Sequence, residues 1–263
     1  MERVSIIGAG NVATHLAKAL HASGHEIVQV YAPHVTSATA LAEEVGASPV
    51  TMLSALRDDA DAYIVSVKDG AVATVLTEVA ASVPAVAAKL WMHTAGSIPV
   101  TVFPPEFTRC GVLYPLQTFS KAVPVDMAAV PFFTEGCTPD AEEAIRRLAC
   151  SISGKVYHAD SAGRRQLHIA GVLGCNMPMY LWALAAEVLE RAGYGLDVLF
   201  PLLQATLAKA ETVPPIEGMT GPARRGDHAV MRSHLDSLPD DIAPVYRFIN
   251  NEILRRFGHE PSL

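Results

Sequence analysis

The chain is short of charge, of aromatic residues and of any basic excess. Charged residues make up 18% and aromatic residues 6% of its 263 residues, whereas hydrophobic residues make up 50%. A formal net charge of −7 argues against a general nucleic-acid partner, because nucleic-acid binders usually carry a basic surface. The composition is typical of a globular protein of one or two domains with a full hydrophobic core.

Cysteine is also scarce, and its spacing excludes the common cysteine motifs. The four cysteines lie far apart and form no Cys-x-x-Cys pair; they are Cys110, Cys137, Cys150 and Cys175. We therefore expect neither a metal site nor a redox pair, but buried thiols in a reducing compartment. A first strand beginning at residue 3 or 4 leaves no room for a signal peptide, so the sequence predicts a cytoplasmic protein.

A membrane is not expected either, although one stretch has the length of a membrane span. Residues 167–189 are largely apolar, but they include His168, Asn176 and Glu187. Polar and ionisable groups are costly in lipid. We interpret the stretch as a core helix, or as a helix buried between subunits.

A nucleotide-binding fingerprint stands at the start of the chain. An apolar run at residues 4–7 predicts a buried strand, and Gly8, Gly10 and Ala13 then match G-x-G-x-x-G/A before a helical pattern begins. Gly8 allows the tight turn, Gly10 lets a pyrophosphate approach the backbone, and the helix N-terminus attracts phosphate. A glycine turn that binds no nucleotide is the alternative. The predicted cofactor-binding residues are Gly8, Ala9, Gly10, Asn11, Val12, Tyr31, Ser66, Val67 and Thr94.

The second strand, residues 26–31, decides which dinucleotide is favoured. It ends without the carboxylate that usually holds the ribose 2′-hydroxyl of NAD. His34, Thr36 and Ser37 follow it and could donate hydrogen bonds to a 2′-phosphate, which favours NADP. NAD stays open, because no arginine lies there and the same residues could simply cap the next helix.

The order of patterns predicts an α/β fold with two domains. Strand and helix patterns alternate to about residue 158, which indicates a doubly wound, mostly parallel Rossmann-like sheet over residues 1–158. No convincing strand follows residue 161, so residues 159–263 are predicted to form an all-helical domain.

Several polar residues are candidates for catalysis. Hydride transfer to a carbonyl or imine needs a proton donor whose pKa lies near the working pH, and His168 fits in type. Asn176 follows eight residues later, on the same broad face of a regular α-helix. His93 follows a predicted strand on the cofactor side. Each of the three could instead be a polar residue satisfied by structural hydrogen bonds.

Four further residues are candidates for substrate binding. Ser97 follows the same strand as His93, and Tyr114 and Gln117 could line the cleft between the domains. Arg225 could hold a carboxylate in a bidentate pair. Asp227, two residues on, is more simply a helix cap.

These segments together resemble a known family. They resemble two-domain Rossmann-like proteins with a C-terminal DUF2520 domain, relatives of coenzyme-F420-dependent NADP oxidoreductases and pyrroline-5-carboxylate reductases. The matching segments are residues 8–13 (GAGNVA), 93–97 (HTAGS), 114–119 (YPLQTF), 167–170 (LHIA) with Asn176, and 220–227 (TGPARRGD). The resemblance implies a helical domain similar to that of 6-phosphogluconate dehydrogenase, and a homodimer formed through it. It supplies no substrate.

One departure limits what the resemblance implies. Related β-hydroxyacid dehydrogenases use a lysine four residues before an asparagine on the long helix, where this chain has Val172. We expect an NADP-dependent oxidoreductase acting on a small carbonyl or imine, with F420 as a donor still open. The alternatives are a non-catalytic sensor of a dinucleotide or metabolite, and a structural dimer whose pocket has decayed.

Overall fold

The computed structural model describes all 263 residues and divides into two compact units, residues 1–175 and 176–263. The last strand ends at His158, and the first unit continues into a long helix. A domain boundary at residue 158 stays a prediction.

The first unit is built on an eight-stranded sheet with the order β3-β2-β1-β4-β5-β6-β7-β8. Its strands are β1 (Arg3–Ile7), β2 (Glu26–Tyr31), β3 (Ser48–Val50), β4 (Ala62–Val65), β5 (Leu90–His93), β6 (Arg109–Pro115), β7 (Phe132–Gly136) and β8 (Val156–His158). All neighbouring pairs are parallel except β6 and β7, which are antiparallel. The predicted doubly wound, mostly parallel α/β fold is confirmed.

Helices pack on both faces of the sheet, so the central strands β1, β4 and β5 are almost entirely buried. These helices are α1 (Asn11–Ala22), α2 (Val35–Val45), α3 (Val72–Ser82), α4 (Pro84–Ala87) and α5 (Pro139–Cys150). A sixth helix, α6 (Ser161–Gly171), follows β8 and adds no residue to the two apolar clusters of the sheet. Successive strand residues point to opposite faces, so Ile6 and Ile64 join one apolar cluster, while Ile7 and Tyr63 join the other.

The second unit is entirely helical and has a small core of its own. It contains α7 (Met177–Arg191), α8 (Phe200–Thr212), α9 (Pro215–Gly218), α10 (Pro222–Arg225), α11 (His228–Ser237) and α12 (Ala243–Arg256). Ala223, Met231 and Leu254 form its buried cluster, and α8 has no buried residue. The predicted all-helical architecture of the C-terminal part is confirmed.

The long helix corrects one expectation. Residues 161–191 form one continuous helical stretch in which a π-helical segment, Val172–Asn176, joins α6 to α7. Its length and its mean hydropathy of 1.4 would allow it to cross a membrane. Only 6% of its most apolar window is buried inside the chain, which is too little for a core helix. The interpretation as a core helix is therefore wrong for the single chain, and burial between subunits stays a prediction.

The cysteines correct a second expectation from the sequence. Cys110 is buried, but Cys137, Cys150 and Cys175 are exposed, so the expectation of four buried thiols is wrong. Strand pairing also brings two of these cysteines together, although they are 27 positions apart in the sequence.

Candidate functional site

The turn after β1 needs glycine at position 8 for two reasons. Gly8 has a φ of +124°, a conformation that L side chains rarely adopt, and a Cβ there would lie 2.1 Å from the backbone oxygen of Ser66. The Gly8 N–H donates to the Tyr31 carbonyl over 2.8 Å. Gly8 therefore allows the ends of β1, β2 and β4 to meet.

Gly10, in contrast to the crowded Gly8, faces open space. A Cβ added at Gly10 would have no heavy atom within 4 Å, and Gly10 stands at the N-cap of α1 without any side-chain capping bond. Ala13, in the third position of the fingerprint, is fully buried against the sheet. A bare backbone, open space and uncapped helix N–H groups fit a pyrophosphate.

The segment after β2 carries donors without partners inside the protein. His34 is the N-cap of α2 but makes no side-chain capping bond, and the first turn of this helix holds no acidic residue. His34, Val35 and Thr36 are exposed. The His34 side chain therefore does not cap α2.

The loops after β4 and β5 are linked by two side-chain hydrogen bonds. Thr94 Oγ1 donates to Ser66 Oγ over 3.2 Å, and Ser97 Oγ donates to a carboxylate oxygen of Asp69 over 2.5 Å. The Ser97 hydroxyl proton is thus already used within the protein. Since Ser66 also touches the Gly8 turn, these loops lie at the same edge of the sheet as the fingerprint.

Tyr114 and His168 form a polar pair at this edge. The Tyr114 hydroxyl and Nδ1 of His168 are hydrogen-bonded at 3.3 Å, and the Tyr114 ring packs on Gly96, where a Cβ would come within 2.6 Å of it. Burial first, and the charge of Asp69 second, raise the pKa of Tyr114. Tyr114 therefore stays a neutral phenol, with a proton to donate.

A buried arginine that sequence reasoning missed anchors the helix carrying His168. Arg164 is fully buried, pairs with the carboxylate of Glu135, and donates to the Ile98 carbonyl over 3.1 Å. It lies one turn before His168 on α6. It therefore ties that helix to β7 and to the loop after β5. Charged residues rarely lie fully inside a protein, so nothing in the sequence pattern marked it.

His93 occupies a different environment from the one expected. Its ring is fully buried, stacks on Phe103 at 5.7 Å, and accepts a hydrogen bond from the Ala95 N–H at Nδ1 over 3.2 Å. Burial first, and the charge of Arg164 second, lower the pKa of His93 to about 4. A neutral ring closed off from solvent argues against proton exchange with a substrate at His93. The catalytic role of His93 stays a prediction.

The remaining predicted residues are not brought into this cluster. The side-chain oxygen of Gln117 accepts from its neighbour Thr118, whereas Asn176 and Arg225 belong to the second unit. The π-helical segment between His168 and Asn176 changes the rotation that a regular α-helix would give, so the prediction of a shared face loses its basis. Arg225 pairs with Asp227 at 2.8 Å, and Asp227 makes no capping bond. The roles predicted for Gln117, Asn176 and Arg225 stay predictions.

The fold and the fingerprint define a Rossmann-type dinucleotide-binding protein with a helical second unit. Residues 3–89 match the family model described as NADP oxidoreductase, coenzyme F420-dependent, and residues 130–253 match DUF2520, a domain of unknown function. The Bacteroides fragilis protein BF3122, provisionally assigned as an NADP oxidoreductase, is 39% identical over 97% of this chain and 98% of its own, with a TM-score of 0.90. The chain therefore belongs to the family that joins an NADP-oxidoreductase-like Rossmann domain to a DUF2520 domain, and its cofactor class is NAD(P).

More distant structures share the fold alone. An imine reductase from Myxococcus stipitatus, in complex with NADP+, is 14% identical over 97% of this chain and 93% of its own, with a TM-score of 0.68. A reductive aminase from Aspergillus terreus, in complex with NADPH and ethyl-5-oxohexanoate, is 16% identical over 99% of this chain and 88% of its own, with a TM-score of 0.63. A comparison with curated proteins found no significant match.

Proposed function

We propose that this protein is an NADP-dependent oxidoreductase that transfers a hydride between nicotinamide and a small carbonyl or imine. The observation that carries the proposal is the pairing of Tyr114 with His168 at the sheet edge that holds the fingerprint. The two loops at that edge connect the fingerprint to this pair. Ser66 touches the Gly8 turn and bonds to Thr94, and Gly96 of the same loop packs on Tyr114.

The cofactor supplies the hydride, and the chain supplies binding and a proton. The open backbone at Gly10 and the N-terminus of α1 would hold the pyrophosphate. A carbonyl oxygen or imine nitrogen whose carbon receives a hydride would also need a proton. His168 is half-buried and hydrogen-bonded to Tyr114, so the two rings could deliver that proton in sequence. The product is an alcohol or an amine.

NADP is the proposed form of the cofactor. No carboxylate ends β2, so a 2′-phosphate meets no repulsion there. The exposed side chains of His34 and Thr36 offer donors beside the N-terminus of α2, which also favours an anion. F420 as a second carrier rests only on the name of the matching family model.

A homodimer formed through the helical unit is proposed for the working protein, which we place in the cytoplasm. Large apolar side chains of the long helix and of α8 are exposed to solvent in the single chain. They include Leu173 (57% exposed), Met179 (61%), Tyr180 (58%), Leu202 (62%) and Leu207 (66%). Many large exposed apolar side chains are unusual for a protein that works as a single chain, which supports an interface here. Light scattering of the purified protein should give twice the chain mass of 28.0 kDa.

The decisive experiment separates binding from turnover. Fluorescence titration should show tighter binding of NADPH than of NADH, and a panel of small oxo-acids and cyclic imines should identify a substrate that oxidises NADPH. His168→Ala should then lower turnover by about 100-fold or more, within the range of general acid catalysis, while leaving NADPH affinity unchanged. His21→Ala, at an exposed position of α1, is the matched control and should keep the full rate.

One observation favours the alternative of a non-catalytic sensor. Val172 stands where related dehydrogenases have their acid/base lysine, so a binding protein without turnover would need no replacement for it. NADPH binding with no oxidation across the whole panel would support the sensor. Full turnover in His168→Ala would remove that residue from the mechanism.

A further inference from the structure

We propose that Cys110 and Cys137 are a site of reversible oxidation, where a hydroperoxide converts the two thiols into an intramolecular disulfide. The proposal does not depend on the oxidoreductase activity, because the two cysteines lie at the other end of β6 from Tyr114.

Strand pairing places the two cysteines opposite one another. Gly111 pairs with Gly136 at the end of the antiparallel β6–β7 ladder. Continuing this register by one residue puts Cys110 opposite Cys137, just past the end of β7. The Cys137 N–H donates to the Cys110 carbonyl over 2.8 Å, and the Cys110 N–H donates to the Cys137 sulfur over 3.1 Å. Opposed residues of antiparallel strands have Cα atoms about 4.5–5.5 Å apart. This separation lies inside the range of about 4.4–6.8 Å found for disulfides.

The glycines beside the two cysteines allow close packing of the backbone. A Cβ at Gly111 would lie 2.1 Å from the Glu135 carbonyl oxygen of β7, and one at Gly136 would lie 2.3 Å from the Glu142 nitrogen of α5. Strand β6 therefore packs closely on β7, and α5 packs closely on β7, next to the two cysteines. A disulfide could close here with little rearrangement of the strands.

The two thiols differ in access, which assigns them different roles. Cys137 is exposed, whereas Cys110 is 4% exposed and packs in the apolar cluster with Trp91 and Phe107. Burial first, then hydrogen bonding to Cys137, raises the pKa of the Cys110 thiol. An oxidant in solution therefore reaches Cys137 first, and Cys110 acts as the resolving thiol.

The oxidation takes place in two steps. Cys137 thiol reacts with hydrogen peroxide to give Cys137 sulfenic acid and one water. The Cys110 sulfur then attacks the sulfenic sulfur, the S–S bond forms, and the second oxygen leaves as water with the Cys110 proton. The protein loses two electrons and two protons in total. A dithiol reductant reverses the reaction through a mixed disulfide.

Peptide mapping tests the proposal on the full chain. In a Cys150→Ser/Cys175→Ser background, a few equivalents of hydrogen peroxide should yield one linked Cys110–Cys137 peptide, two hydrogens lighter than the reduced pair. Dithiothreitol should restore both thiols completely. Cys137→Ser in the same background should give no linked peptide and should leave Cys110 reduced.

A trapping experiment locates the first step. Cys110→Ser should stop the reaction at Cys137 sulfenic acid, which dimedone labels. If Cys110→Ser does not fold, the time course of dimedone labelling in the Cys150→Ser/Cys175→Ser protein serves instead, with label at Cys137 appearing before the link. Disulfides between two chains, or stable sulfenic acid at Cys137 with Cys110 present, would overturn the proposal.

Discussion

His93 should make the stability of the first unit depend on pH, because its ring is fully buried and held neutral. The pKa of His93 is about 4 in the folded chain, against 6.5 for the free side chain. Between these two pH values the unfolded chain binds a proton at His93 that the folded chain does not. The free energy of unfolding should therefore be constant above about pH 6.5 and should fall as the pH decreases towards 4.

The size of the effect follows from the two pKa values. Each pH unit of difference corresponds to about 1.36 kcal/mol, so a difference of about 2.5 units predicts a loss of about 3 kcal/mol by pH 4. That is a large fraction of the stability of an ordinary domain, about 5–15 kcal/mol. Burial also lowers the pKa of His25, which adds a further loss in the same direction.

Urea denaturation from pH 7 to pH 4.5 measures this loss. In a Trp182→Phe background, the fluorescence of buried Trp91 reports on the first unit alone. His93→Asn keeps an acceptor for the Ala95 N–H but cannot titrate, so its free energy of unfolding should depend less on pH. His21→Ala, at an exposed position, should follow the parent protein. Equal pH dependence in His93→Asn and the parent would refute the account of a buried neutral ring.

Four other substitutions test the site. Gly10→Val should abolish NADPH binding with little effect on folding, because its side chain enters open space that the pyrophosphate needs. Cofactor titration measures the loss of binding, and thermal melting measures the stability. Gly8→Val should instead lower stability by about 1–3 kcal/mol from the positive φ alone, and by more once the Cβ meets the Ser66 backbone oxygen; melting should show the shift. Arg164→Met should cost about 3–5 kcal/mol in urea denaturation, because Glu135 keeps a largely buried charge without its partner. Tyr114→Phe keeps the ring on Gly96 but removes the hydroxyl, so it should lower the turnover rate without changing NADPH affinity.

Local patterns of the sequence determined the fold class and the cofactor edge. A strand, a tight turn and a helix are consecutive in the chain, so the residues that build the Gly8–Gly10 turn are also neighbours in the sequence. Alternating strands and helices then predict a parallel sheet, because parallel neighbours need a crossover between them. The absence of a carboxylate at the end of β2 was likewise readable without a structure.

Only the tertiary structure decided which distant residues meet. Tyr114 and His168 are 54 positions apart, Arg164 and Glu135 are 29 apart, and both pairs depend on strand order and on where α6 lies. His93 was singled out for its place after a strand, but the burial that keeps it neutral comes from side chains elsewhere in the chain. Contacts between distant segments follow from how the sheet is assembled, and no local pattern of residue types records that assembly.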